Sequence, residues 1–156
     1  AYIRVGRNPV EDVYTEDECP FQMDRATWVR RGTDVAIVAT GEMVRHAVDA
    51  ADLLAEQGIS ATVLDMYCVK PLDAEAVTAA ARETGAVLTA ENHSVYNGLG
   101  SAVAEVLAER RLAVPFGRIG FRDVTGETAD VPYILKKFGM DAPAIAGLAK
   151  ELVALK

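Results

Sequence analysis

Apolar and polar positions in this chain follow two alternating periods from Ala26 onward. Thr27–Arg30 reads as a short strand closed by a turn at Gly32. Asp34–Ala39 (DVAIVA) is a continuous β-branched apolar run, the pattern of a parallel strand buried on both faces. The period then lengthens. Over Glu42–Gln57, Val44, Ala47, Val48, Ala51, Leu54 and Ala55 fall on one helical face, and Gly58 supplies the stop. Ala61–Met66 is a second apolar strand. Pro71-Leu72-Asp73 marks a helix start with Asp73 as N-cap, and the Ala-rich helix from Ala74 runs to Gly85. Ala86–Ala90 predicts a third buried strand, Gly100–Arg111 a helix, and Gly117–Phe121 a further strand. Two short helices close the chain near Val131–Phe138 and Ala142–Leu155. The second has Asp141 as cap and Ile145, Leu148, Ala149 and Leu152 along one face. Strands alternating with helices predict βαβ units, a largely parallel sheet and helices on both faces: an α/β, three-layer sandwich.

The first 25 residues lack this order. Tyr2–Val5 predicts a strand, but nothing ahead of it can pair with it, and a lone strand leaves its backbone groups unsatisfied. Residues 1–7 are therefore expected to be the last strand of an upstream domain in a larger protein. Residues 8–25 carry Glu11, Asp12, Glu16, Asp17, Glu18 and Asp24, with Pro9 and Pro20 as breakers. They read as an extended surface linker. Residues 26–156 form the domain itself.

Composition changes this picture little. The chain has 156 residues, 51% hydrophobic and 25% charged, enough for one domain with its own core. Acidic residues outnumber basic ones 23 to 16, which argues against a phosphate-backbone partner, so no nucleic acid is expected. No apolar run is long enough to cross a bilayer, and no membrane partner is expected. Cys19 and Cys68 lie far apart, without the spacing of a zinc site or disulfide framework. They read as free thiols in a reducing compartment, and a cytoplasmic location is expected.

Ligands of open α/β sheets bind beyond the carboxyl ends of the strands. Polar groups stand at three such ends: Glu42 after Gly41, Asp65 before Tyr67, and Glu91-Asn92-His93. Strand ends and their loops are polar in any case, so this edge is a candidate and no more. His93 precedes a Gly-rich turn, where it can orient a substrate hydroxyl, shuttle a proton, hold its loop or face a partner. His46 lies beside Arg45 on a helix face with Asp49 and Asp52, which reads as solvated. Asn97-Gly98-Leu99-Gly100-Ser101 opens a helix whose N–H groups can cradle an anion. Val103 stands where a dinucleotide fingerprint needs its third Gly, so a tight turn for helix–sheet packing accounts better for these glycines. No P-loop, H-E-x-x-H or G-x-S-x-G motif occurs, and no catalytic residue or metal site stands out.

Several segments, taken in order, resemble the C-terminal section of the transketolase family. They are YIRVGR (2–7), GTDVAIVATGEMV (32–44), AADLLAEQGISATVLDMYCVKPLD (50–73), TGAVLTAENHSVYNGLGSAVAEVLAE (84–109) and TGETADVPYILKKFGM (125–140). The likeness covers nearly the whole chain and is strongest to split transketolases, in which the C-terminal half is a separate polypeptide. It implies a mainly parallel five-stranded sheet between helices. It also implies an enzyme that moves a two-carbon ketol unit between sugar phosphates, the chemistry of the pentose phosphate pathway. Deoxyxylulose-phosphate synthase and the beta subunit of 2-oxoacid dehydrogenases share the domain, and a non-catalytic assembly module is the reading from another class.

In the family, thiamine diphosphate and Mg2+ belong to the complete enzyme, so neither is expected to be bound by this domain, and the cofactor carries the hard step. The implied partners are the diphosphate-binding and pyrimidine-binding domains or subunit, in a homodimer or heterotetramer. One residue carries over: an Arg beyond the last pyrimidine-domain strand contacts substrate phosphate, and its match in YIRVGRNP is Arg7. A planar, permanently charged fork suits that task. With Arg7, His93 is the other expected substrate-binding residue. The sequence departs from common family patterns at Asn92, at Tyr96-Asn97 and at TGET (125–128), differences that bear on substrate range and not on fold.

Overall fold

The computed structural model describes Ile3 and residues 9–156. The expected strand at Tyr2–Val5 and the proposed phosphate ligand Arg7 lie outside the described residues.

Five strands form one sheet in the order β1-β3-β2-β4-β5. They are β1 (Thr27–Arg30), β2 (Val35–Ala39), β3 (Ala61–Asp65), β4 (Val87–Ser94) and β5 (Phe116–Phe121). β1 runs antiparallel to β3, and the other pairings are parallel. Among the described residues five α-helices alternate with and follow these strands: α1 (Met43–Ala55), α2 (Ala74–Thr84), α3 (Leu99–Glu109), α4 (Val131–Lys137) and α5 (Ala142–Val153). This is the mainly parallel α/β/α sandwich read from the sequence.

Alternation along β2 divides the core. Val35, Ile37 and Ala39 pack with α1, α5 and Leu135 of α4 on one face. Ala36 and Val38 pack with α2 and α3 on the other. All five β2 residues are buried, as a central strand covered by helices on both sides requires. On α1 the buried stripe is Met43, Val44, Ala47, Ala50, Ala51 and Leu54. Ala55, expected on that face, is exposed.

Helix ends follow local chemistry. Asp73, Asp130 and Asp141 each accept the backbone N–H three residues on, at 3.0, 2.9 and 3.1 Å, capping α2, α4 and α5. α2 stops at Gly85, whose φ of 69° a side chain would strain.

β4 is longer than the apolar run predicts. It continues past Ala90 through Glu91, Asn92 and His93 to Ser94, which pairs with Phe121 after a register shift. Alternation cannot reveal this extension, because its residues are polar and its pairing comes wholly from β5. Gly120 makes it possible: a Cβ there would lie 2.8 Å from the His93 carbonyl oxygen.

Candidate functional site

In this strand order the chain moves from β2 to one side and then back past it to β4. The reversal puts the topological switch point at the carboxyl ends of β2 and β4. Glu42, at the start of α1, and Asn92, on the β4 extension, meet there: the Asn92 amide donates to Glu42 Oε1. His93, next along, is exposed. The structure thus brings Glu42, Asn92 and His93 to one rim, but the first two are joined to each other.

Glu91 points the other way and is 1% exposed. Its Oε2 accepts the Leu99 N–H at 2.8 Å and its Oε1 the Gly100 N–H at 2.7 Å. The helix start read as an anion cradle is therefore already filled by an anion of the chain itself. Gly98 is required by this closeness, since a Cβ there would sit 2.0 Å from Glu91 Oε2. The reading of these glycines as packing glycines holds at Gly98, although the surface approached is a carboxylate. Two further groups hold the loop after β4. Arg118 Nη1 donates to the Val95 carbonyl at 2.9 Å, and its guanidinium lies 5.8 Å from the Tyr96 ring centroid. The Asn97 N–H donates to Ser101 Oγ at 2.9 Å.

Asp65 at the end of β3 is separate from this rim. It is 9% exposed and accepts the Tyr14 hydroxyl at 2.9 Å. Burial raises its pKa, and the Tyr14 hydrogen bond opposes that rise. The phenol of Tyr14 is pushed well above its ordinary value, by burial first and then by bonding to Asp65.

Tyr14 belongs to the acidic segment expected to be an extended linker. That segment is folded down onto the sheet edge. Glu11 pairs with Arg45 of α1 at 3.4 Å, and Val13 packs against the core. The Phe21 and Tyr67 rings are 5.2 Å apart, and the Tyr67 hydroxyl donates to the Gln22 carbonyl and accepts its N–H. Asp73 also accepts the Ala26 N–H at 3.0 Å, so this cap residue staples the segment's end to α2. Tyr14 and Arg118 carried no sequence signal, because each acts through a partner more than twenty residues away. On the polar face of α1, Arg45 bonds Asp49 at 2.6 Å and Asp52 receives Arg30 at 2.6 Å, while His46 is half-buried.

Among the described residues no three His, Cys, Asp or Glu are grouped to hold a metal ion. At the α3 N-terminus the Leu99 and Gly100 N–H groups are both taken by Glu91. Among the same residues no helix is long and apolar enough to cross a membrane.

The model of the transketolase C-terminal domain matches residues 24–145. A 6-deoxy-6-sulfo-D-fructose transketolase subunit of Clostridium sp. (strain MSTE9) is 47% identical over 99% of the chain and 48% of its own length. An apulose-4-phosphate transketolase subunit of Phocaeicola vulgatus is 43% identical over 97% of the chain and 48% of its own length. A 1-deoxy-D-xylulose-5-phosphate synthase of Thermomicrobium roseum is 45% identical over 83% of the chain and 21% of its own length. Among solved structures, a split-gene transketolase in an inactive beta4 tetramer superposes with a TM-score of 0.92 at 44% identity, covering 99% of this chain and 50% of that one. The chain spans about half the length of the two transketolase subunits.

Proposed function

We propose that this chain, which belongs to the transketolase C-terminal domain family, serves a thiamine diphosphate-dependent transketolase of the split type. That enzyme transfers a two-carbon ketol unit between sugar phosphates. The observation carrying the reading is the likeness to a split-gene transketolase over 99% of this chain and half of that one. The site geometry agrees. Asp65, Glu91 and Glu42, the carboxylates of the sheet's carboxyl edge, each engage a group of this same chain.

The proposed division of labour follows from that. Thiamine diphosphate, with Mg2+, is held by the diphosphate-binding and pyrimidine-binding domains of a partner subunit or of the remaining chain. When bound it supplies the carbanion chemistry. This domain supports assembly, as a homodimer or heterotetramer, in the cytoplasm, where the free thiols Cys19 and Cys68 stay reduced. Residues 1–7 end the upstream domain, 8–25 connect and 26–156 form the C-terminal domain. Arg7 binds substrate phosphate through its guanidinium, and exposed His93 at the switch-point rim faces the substrate or the neighbouring domain.

The test is reconstitution of the complete polypeptide with the complementary half. Ketol transfer between phosphorylated sugars that vanishes without thiamine diphosphate is expected, and no cofactor-dependent transfer would overturn the proposal. Arg7→Ala should raise KM for phosphorylated ketoses, and an unchanged KM removes Arg7 from the site. The 45% identity to a deoxyxylulose-phosphate synthase favours a second reading, condensation of pyruvate with an aldose phosphate. Carbon dioxide release from pyruvate, with no ketol transfer, would select it.

A further inference from the structure

The geometry points to residues 9–25 being a latched strap: a segment that opens and closes as one unit over the carboxyl end of β3, held shut by Tyr14 on Asp65. Three observations carry this. The strap touches the body at discrete places: Glu11 on Arg45, Val13 on the core, Tyr14 on Asp65, the Pro20 carbonyl on the Thr27 hydroxyl, and Phe21 with Gln22 on Tyr67. Between them its side chains are exposed, Phe21 and Met23 by 68% and 67%. A segment with few buried apolar contacts opens at far lower cost than the core.

The contacts are also unequal. Glu11–Arg45 is a surface pair 3.4 Å apart, with Glu11 80% exposed, and such pairs hold little. The Tyr67 contacts are exposed and the water around them competes. Tyr14–Asp65 is the part-buried one, with a carboxylate as acceptor and a phenol as donor. Facing it are Thr27 on β1 and Cys19 on the strap, along with Asp65 itself on β3.

Finally, the segment has a built-in stop. Asp73 is 7% exposed and grips the Ala26 N–H, with Arg25 3.9 Å from its Oδ1, so opening ends where β1 begins. The strap therefore hinges at residues 25–26 and is latched at 14.

Limited proteolysis with a Glu-specific protease tests the latch on the full chain, independently of any activity. Glu11, Glu16 and Glu18 lie in the strap, while Glu83 and Glu105 report on α2 and α3. Tyr14→Phe keeps the ring and removes the hydroxyl. It should speed cleavage at the strap sites roughly tenfold, the equilibrium factor for one hydrogen bond to a carboxylate, with the helix sites unchanged. Phe21→Ser loosens the other end and should give a smaller increase, shared by all the strap sites. It serves as the second variant should Tyr14→Phe fold poorly. Unchanged strap cleavage in a folded Tyr14→Phe variant, or in Phe21→Ser should Tyr14→Phe not fold, overturns the proposal. Equal acceleration at strap and helix sites also overturns it, because the opening would then be global unfolding.

Discussion

Glu91 offers the sharpest test of how this edge is built. Its carboxylate is 1% exposed and accepts two backbone N–H groups, at 2.8 and 2.7 Å, from the first turn of α3. A hydrogen bond to a charged group contributes ~1.5–3 kcal/mol, and a buried donor left without a partner costs ~1–3 kcal/mol. Glu91→Ala removes both bonds, strands both donors and should destabilise by about 3–5 kcal/mol. Glu91→Gln keeps one acceptor oxygen but turns an NH2 toward the other donor, for a loss of about 1–2 kcal/mol. For a chain of this length each kcal/mol moves Tm by ~2–4 °C, so the Ala variant should melt roughly 10 °C low. Gly98 supplies the cross-check. Gly98→Ala drives a Cβ to 2.0 Å from Oε2 and should be as damaging as Glu91→Ala. In a Glu91→Ala background that obstacle is gone, so the second substitution should cost far less than it does alone. Thermal melts of the four proteins decide the matter. Strictly additive losses, or a Glu91→Ala variant melting within about 1 °C of the parent, would refute the account of Glu91 as the anion of α3.

Three further outcomes are expected. Asp73→Ala loses the α2 cap and the staple to Ala26 together, and its urea midpoint should correspond to a loss of about 2–3 kcal/mol, more than a lone cap provides. Leu54→Ala empties a fully buried position between α1 and the sheet and should cost about 2–5 kcal/mol by the same measurement. Asp65 predicts a pH effect: its folded pKa is raised by burial, so the folded state holds the proton more tightly than the unfolded chain. That contribution is complete below the ordinary carboxylate value and is lost as pH rises through the raised one. Urea titrations from pH 3 upward should show Asp65→Asn gaining on the parent across that window, and a constant difference would contradict the assignment.

The layers of this domain were legible because each rests on local pattern. DVAIVA carries the pattern of a buried parallel strand and forms one, and the Asp caps before α2 and α5 lie where their sequences place them. The β4 extension was not legible. Glu91, Asn92 and His93 have no strand pattern of their own and pair only because Gly120 lets β5 come close. The attachment points of the acidic segment were not legible for a related reason: they depend on Tyr14 and Tyr67, whose partners lie 51 and 45 residues away. Sequence spacing carries no record of such a contact.

The candidate edge teaches the same point from the other side. Sequence places Glu42, Asp65 and Glu91 together at the ends of parallel strands, the position at which this architecture binds ligands. In the fold they separate. Asp65 turns to the strap, Glu91 turns beneath α3, and Glu42 closes on Asn92 across the switch point. A carboxylate at a strand end is thus evidence of a site only after its own chain's donors have been counted. Here Asp65 and Glu42 each have one and Glu91 has two. What stays outward is His93, together with the exposed Tyr96 ring beside Arg118. The strand-end carboxylates thus hold the strap, the start of α3 and the switch point together, while His93 and Tyr96 beyond them remain exposed.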